Sequence, residues 1–207
     1  MSKLNIILLF ILAGLLIFAQ ADSAMEEKWI FTIPTPTPTF APTPTPTPTI
    51  SVPKAFYIPK INVSAPIVPV GTDENGKMLL PENVAEVGWY SLGVKPGEIG
   101  NAVISGHLDS TTGEGAIFYH LNELELGDNY YVTDEYGKSY TFAVTDKVIY
   151  EYDKVPIDEV FGETDKKRLN LITCTGSWNP SLRNYSHRMI IYSELQSVSV
   201  FTPSPTN

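Results

Sequence analysis

The chain contains a single cysteine, in a position that is compatible with nucleophilic chemistry. Cys174 ends an apolar run, residues 169–174 (LNLITC), and a loop of small residues (TGS) follows it. A free cysteine is more often a small buried hydrophobe than a nucleophile. A strand that runs into a loop, however, brings its last side chain to the rim of a β-structure, where a thiolate could attack a carbonyl carbon. One cysteine cannot pair within the chain, so a disulfide framework is excluded.

His107 is the histidine whose position best suits a partner for this thiol. It ends residues 101–107 (NAVISGH), where an apolar run meets a polar loop. A neighbouring imidazolium stabilises the thiolate, which is the attacking species. His120 falls in a possible short helix and His187 in a polar loop, so both are weaker candidates. A histidine at a strand end is, taken alone, more often a hydrogen-bonded structural residue.

Arg188 is the candidate for stabilising an oxyanion. It opens residues 188–192 (RMIIY), fourteen residues after Cys174, a spacing that allows one loop and a return as the neighbouring strand. A guanidinium there would stabilise the charge that develops when a thiolate attacks a carbonyl. Arg183, five residues upstream, is the competing candidate. For either residue alone, a surface ion pair with one of the many carboxylates is the simpler explanation.

The elements that must position these residues are short runs rich in Val, Ile, Tyr, Phe and Thr, as strands prefer. Residues 135–137 (EYG) join two alternating runs as a hairpin, and residues 116–124 (AIFYHLNEL) are compatible with one short helix. The pattern predicts a mostly β domain, a closed barrel or a sandwich of about eight strands. The runs are AFYIPKINVSAPIVPV, NAVISGHL, NYYVTD, SYTFAVTDKVIYEY, LNLITC and RMIIYSEL.

Proline usage divides the chain into segments around one domain. Of the 17 prolines, 8 lie between residues 33 and 54, and alternating proline extends a chain as polyproline II. We predict a signal peptide or signal anchor (1–24), a Pro/Thr-rich extended linker (25–53), one catalytic domain (54–202) and a disordered tail (203–207). The domain has 12 Lys+Arg against 20 Asp+Glu and no basic stripe, which disfavours nucleic acid, so we predict no nucleic-acid partner.

The leader predicts export. Lys3 precedes an apolar run over residues 6–19, shorter than the ~20 residues that span a bilayer, and residues 19–21 (AQA) offer a cleavage site. An uncleaved anchor over residues 4–24 is the alternative, and a spacer is most useful if the leader stays in the membrane. We therefore expect an extracytoplasmic domain, anchored to the cell membrane by the N-terminal segment, or secreted if the leader is cleaved.

Five segments of the chain, in family order, resemble sortases and cover residues 56–195. The Val-Gly-Trp-Tyr and Gly-His-Leu-Asp-Ser segments are most similar to the class E and class F branches of that family. The segments are YIPKI with API (57–61, 65–67), VGWY (87–90), PGEIGNAVISGH (96–107), LITC (171–174) and RMIIY (188–192).

This resemblance implies an eight-stranded β-barrel with one or two short helices and cysteine transpeptidase activity. It makes Cys174 the nucleophile, His107 the acid/base and Arg188 the oxyanion and substrate binder, and Thr173 matches a position that often lines the substrate groove. In the family reaction the thiolate attacks the Thr–Gly carbonyl of an LPXTG-like sorting signal on a surface protein. An amine of a cell-wall precursor or a pilin then resolves the thioacyl-enzyme. Some members respond to calcium, but no carboxylate cluster is evident here, so we predict no metal and no cofactor.

Two alternatives stay open. Another secreted cysteine peptidase or transpeptidase is disfavoured: an L,D-transpeptidase would have Ser-His-Gly-Cys, and a papain-like enzyme places cysteine before histidine, whereas here His107 precedes Cys174. A non-enzymatic β-sandwich on a stalk, binding glycan or protein, explains the spacer and the acidity. This binding-module hypothesis gives no role to His107, Cys174 and Arg188.

Overall fold

The computed structural model describes residues 50–200, so the predicted leader, most of the predicted linker and the predicted tail lie outside the described residues. Eight strands form within this range. They are β1 (Pro53–Ile58), β2 (Val63–Val70), β3 (Val87–Tyr90), β4 (Gly100–Gly106), β5 (Asn129–Asp134), β6 (Lys138–Glu151), β7 (Lys167–Asn179) and β8 (Asn184–Val200).

The eight strands close into one barrel in the order β1-β2-β3-β4-β7-β8-β6-β5. The barrel closes because β1 pairs antiparallel with β2 on one side and with β5 on the other. This confirms the eight-stranded β-barrel that the sequence predicted. The predicted hairpin at residues 135–137 is also present, because these residues join β5 to β6.

Helical structure within residues 50–200 consists of short pieces. One α-helix, α1 (Ile157–Phe161), lies in the connection from β6 to β7, and 3-10 helices form at Pro59–Ile61 and Leu121–Glu123. The short helix predicted over residues 116–124 is realised as turns followed by the second 3-10 helix. Its fully buried residues, Phe118, Leu121 and Leu124, are three positions apart, which is the period of a 3-10 helix.

The core of the barrel is aromatic at its centre. The ring of Tyr130 lies 5.5 Å from that of Phe56 and 5.9 Å from that of Phe142, measured between centroids. A second apolar cluster lies on the outer face of the barrel, where Val160 of α1 packs with Val103 of β4 and Ile190 of β8. The short helix is therefore packed against the outside of the strands that carry the candidate site.

Candidate active site

His107 and Cys174 reach the same edge of the barrel because they belong to parallel neighbours. In the β4–β7 pair Ser105 is aligned with Ile172, and His107 and Cys174 each follow two residues later. Between them, the Thr173 hydroxyl donates a hydrogen bond to the carbonyl oxygen of Gly106, 2.9 Å away. Parallel strands expose the same ends at the same edge of a sheet. Two residues that are 67 positions apart in the sequence are thus brought together.

Arg188 is the direct cross-strand partner of Cys174 in the antiparallel pair of β7 and β8. Residues opposite each other in such a pair project from the same face, with Cβ atoms about 4.5–5.5 Å apart. The predicted return of Arg188 on the neighbouring strand is therefore observed. The expectation that Cys174 ends its strand is wrong, because β7 continues to Asn179 and forms a long hairpin with β8.

The thiol and the guanidinium belong to the outer face of the barrel. Side chains alternate along a strand, and Leu171 and Thr173 are buried on the inner side. Cys174 therefore shares its face with Ile172, which packs against the outer apolar cluster that contains Ile190. Thr173 is only 3 % exposed, and its hydroxyl is occupied by Gly106, so its predicted role in substrate binding stays a prediction.

Three hydrogen bonds hold the Arg188 side chain. Nη1 donates to the carbonyl oxygens of His187, at 2.9 Å, and Tyr185, at 3.2 Å, and Nη2 donates to Asn184 Oδ1 at 2.7 Å. Within residues 50–200 no carboxylate lies within ion-pair distance of this guanidinium. A guanidinium has five N–H donors, so two are left for an anionic group beside Cys174.

A backbone carbonyl selects the tautomer of His107. Its Nε2 lies 2.8 Å from the carbonyl oxygen of Pro81, in the connection between β2 and β3. A carbonyl oxygen only accepts hydrogen bonds, so Nε2 must carry the proton. In the neutral imidazole the lone pair is then on Nδ1, and this nitrogen is the one that can accept a proton.

Opposing influences act on the Cys174 thiol, which is half-buried. Burial raises its pKa, the positive charge of Arg188 lowers it, and the carboxylate of Asp109 raises it. The net effect is a pKa above the usual value for a cysteine, so the resting thiol is protonated at neutral pH. A base is therefore needed to generate the thiolate.

The sequence did not single out Asp109 and Tyr185, which the structure brings to the site. The Tyr185 hydroxyl donates a hydrogen bond to the Asp109 carboxylate, and this bond raises the pKa of Tyr185 to about 12. The ring of Trp178 meets that of Tyr185 edge to face at 5.2 Å. These contacts join the loop after His107 to the β7–β8 hairpin. In the sequence, Asp109 lies two residues after His107, and Tyr185 lies three residues before Arg188. This closeness to the predicted site residues is the one local signal that could have identified them.

A groove of about 670 Å³ runs along the outer face and reaches Arg188. Such a volume is typical of a ligand site. Its apolar lining comes from β3, β7 and the connection that contains α1, and includes Tyr90, Val155, Ile157, Phe161 and Ile172.

A buried pair of asparagines fixes the α1 wall of this groove. Asn101 Nδ2 donates to the carbonyl oxygen of Gly162 at 2.8 Å, and Asn170 Nδ2 donates to that of Val160 at 2.8 Å and to Asn101 Oδ1 at 3.1 Å. Asn101 lies on β4 and Asn170 on β7. The groove wall is therefore attached to the two strands that lead to His107 and Cys174.

Two further observations concern only residues 50–200. No group of three His, Cys, Asp or Glu side chains is arranged to hold a metal ion. None of the helices has the length and hydropathy that a membrane crossing requires.

The chain is similar to known sortases in sequence and in fold. Sortase D of Bacillus subtilis (strain 168) is 33 % identical over 117 residues, which are 56 % of this chain and 51 % of that protein, so the match spans about half of this relative. Sortase C-1 from Actinomyces oris shares 26 % identity and a TM-score of 0.54, covering 70 % of this chain and 71 % of that one. Sortase A of Listeria monocytogenes, at 20 % identity, has a TM-score of 0.56 over 74 % of this chain and 93 % of that one, a likeness of fold alone.

The comparisons do not confirm the finer resemblance to classes E and F, and the curated relative bears the name sortase D. The protein-family model of the sortase domain matches residues 56–196, well over half of the sequence. The chain therefore belongs to the sortase family.

Proposed function

We propose that this protein is a cysteine transpeptidase that cleaves an LPXTG-like sorting signal between threonine and glycine and transfers the acyl part to an amine. The observation that carries the proposal is the direct cross-strand pairing of Cys174 with Arg188, at the barrel edge where the parallel strand β4 delivers His107. Nucleophile, base and oxyanion donor are the three roles that acyl transfer through a thiol requires.

In this mechanism His107 begins as the base. Its Nδ1 takes the proton of the Cys174 thiol, and the thiolate attacks the carbonyl carbon of the threonine. The two unused N–H groups of Arg188 stabilise the oxyanion that forms. The tetrahedral intermediate collapses as His107 returns the proton to the leaving glycine nitrogen, so the C–N bond breaks and a thioester remains.

An amine completes the reaction. It attacks the thioester carbon, His107 accepts the proton of the amine, and the new amide leaves as the C–S bond breaks and the proton returns to sulfur. Because burial raises the pKa of the Cys174 thiol, the resting thiol is protonated, and His107 must remove this proton for the sulfur to attack.

The groove supports a peptide substrate rather than a small molecule. It has a volume of about 670 Å³, it is lined by aromatic and aliphatic side chains, and it reaches Arg188. The leucine and proline of a sorting signal match this apolar lining, and threonine at the Arg188 end would present its carbonyl carbon to Cys174. Thr173 is proposed to support substrate binding indirectly, because its hydrogen bond to Gly106 positions the strand that carries Cys174.

The partners and the location follow from the proposed reaction. The acyl donor is a surface protein that bears a sorting signal, and the acceptor is an amine of a cell-wall precursor or a pilin. We propose an extracytoplasmic domain held at the membrane by the N-terminal segment.

The test uses the full-length chain, purified in detergent, with quenched LPXTG-type peptides and triglycine as the amine. Wild type is expected to cleave the peptide and to form the peptide–triglycine product, whereas Cys174→Ala forms neither. Mass spectrometry of wild type with peptide alone should detect a thioester on Cys174 that hydroxylamine releases. Equal cleavage by both proteins, or no cleavage across a broad panel of sorting peptides, contradicts the proposal.

A further inference from the structure

The groove is cationic on a protein that is acidic. The predicted domain has 12 Lys+Arg and 20 Asp+Glu, yet the side chains that line the groove include Lys77, Arg183 and Arg188 and no carboxylate. The groove is thus lined by three of the twelve basic residues of the domain and by none of its twenty acidic residues, although acidic residues outnumber basic ones in the domain as a whole. The charge at this surface is therefore opposite to that of the rest of the domain.

None of these three cations forms an ion pair with a carboxylate of residues 50–200. Arg188 is held by its three hydrogen bonds beside the thiol. Among the residues that the structure describes, neither Lys77 nor Arg183 lies within 4.0 Å of a carboxylate. The acids nearest to Lys77 in sequence are Glu74 and Asp73, neither of which lines the groove, and Asp73 Oδ1 accepts the backbone N–H groups of Asn75 and Lys77, each at 2.9 Å. Asp73 thus closes its own turn and is not part of the groove lining.

The backbone at Arg183 gives an independent indication that its side chain has a role. Arg183 has a φ of +48° in the connection between β7 and β8. This left-handed conformation favours glycine and asparagine, and other residues occupy it with strain that is often stored at functional sites. The chain nevertheless has arginine here, which places a positive charge at the rim of the groove.

We propose that the groove selects sorting segments with a carboxylate on the amino-terminal side of the scissile bond, recognised by Lys77 and Arg183. This inference rests on the proposed function and specifies its substrate class. The apolar lining binds the aliphatic part of the peptide, the Arg188 end binds the threonine carbonyl, and the two free cations pair with an aspartate or glutamate. The acid occupies the variable position of the signal or the position just before the leucine.

The experiment compares peptides that differ only in carboxylate against amide. The full-length enzyme is given LPXTG-type peptides with Asp or Asn at the variable position, and a second pair with Glu or Gln just before the leucine. In at least one pair, we expect wild type to cleave the acidic peptide with a kcat/KM higher by roughly two- to fivefold for each cation engaged, as exposed ion pairs allow. The preference should weaken as salt is raised.

Two neutralised variants locate the effect. Arg183→Asn and Lys77→Gln should each reduce the acid-to-amide ratio of kcat/KM, and the double variant should bring this ratio close to one. Lys54→Gln is the matched control, because it removes the same charge from β1, which lies across the barrel from β7 and β8. Asparagine tolerates the left-handed backbone, so Arg183→Asn should melt no lower than wild type.

The outcomes separate this inference from the proposed function. An acid-to-amide ratio of one in both peptide pairs overturns the inference while cleavage that depends on Cys174 still supports the transpeptidase. A preference for acid that persists unchanged in the double variant, or that Lys54→Gln removes equally well, also overturns it. Failure of every peptide, acidic and neutral, contradicts the proposed function instead.

Discussion

The hydroxyl of Thr173 is hydrogen-bonded to the carbonyl oxygen of Gly106, at 2.9 Å, and so joins the residue before the cysteine to the residue before the histidine. Both residues are buried. The bond links β4 and β7 one residue beyond their last register pair, Ser105 with Ile172. It therefore fixes how far His107, just after β4, and Cys174, within β7, lie along their neighbouring strands.

Thr173→Val tests this bond, since valine keeps the shape of threonine and removes the hydroxyl. The Gly106 carbonyl is then left without this partner, and we expect a loss of about 1–3 kcal/mol in the free energy of unfolding. Misalignment of acid and nucleophile should lower kcat more than it raises KM. Chemical denaturation and steady-state cleavage measure the two effects. Thr173→Ser retains the hydroxyl and should preserve kcat; if it is as impaired as valine, the hydrogen bond is not the cause.

Arg188→Ala should remove the oxyanion donor. The loss expected for one such donor is ~2.7–4 kcal/mol of transition-state stabilisation, or about 10²–10³ in kcat. Arg183→Ala removes a similar side chain from the connection beyond the last β7–β8 register pair, Asn179 with Asn184, whereas Arg188 lies directly opposite Cys174, so kcat of this variant should stay near that of wild type. A larger loss of kcat at Arg183 than at Arg188 would show that the roles are reversed.

Asp109→Asn should make the Cys174 thiol more acidic. The Asp109 carboxylate raises the pKa of this thiol, so neutralising it removes an influence that disfavours the thiolate. The alkylation rate with iodoacetamide should then rise near neutral pH, and its pH profile should shift to lower pH. Arg188→Gln removes an influence that lowers the pKa, so its profile should shift to higher pH. Profiles that move together in the two variants would contradict this account of the site's charges.

Gly106→Ala should destabilise the barrel edge beneath the site. A Cβ at this position would lie 2.4 Å from Cδ2 of Phe118, a fully buried ring that cannot move aside freely. Overpacking of this kind typically costs about 1–3 kcal/mol of stability. Gly71→Ala is the control, because a Cβ there meets nothing within 4 Å. Thermal unfolding of both variants measures the difference, and equal melting temperatures would show that Phe118 adapts.

The fold was predictable from the sequence because its strands are rich in β-branched and aromatic residues and its turns are marked by glycine. His107 was located correctly at a strand end, since β4 is apolar up to Gly106 and polar after it. Cys174 was misplaced at a strand end because no residue of β7 after it is buried, and residues 176–179 (GSWN) are exposed. Burial, which produces the strand signal, is absent there.

The remainder of the site depends on contacts that no local pattern records. The bond from Tyr185 to Asp109 joins residues 76 positions apart. The helix α1 is only five residues long, too short for a helical periodicity, and it is fixed by the asparagines of β4 and β7. The groove and the charge of its lining can therefore be recognised only in the three-dimensional structure.

The attachment of α1 to Asn101 and Asn170 bears on how the specificity of this protein can be engineered. The groove wall is held through the backbone carbonyls of Val160 and Gly162 as well as through the packing of the Val160 side chain against Val103 and Ile190. A connection taken from another sortase can therefore replace residues between β6 and β7, provided that two of its carbonyls reach the same two amides and that an apolar side chain takes the place of Val160 in the outer cluster. The asparagine pair supplies fixed hydrogen-bond donors for the connection between β6 and β7, and the connection itself is the part that can be exchanged.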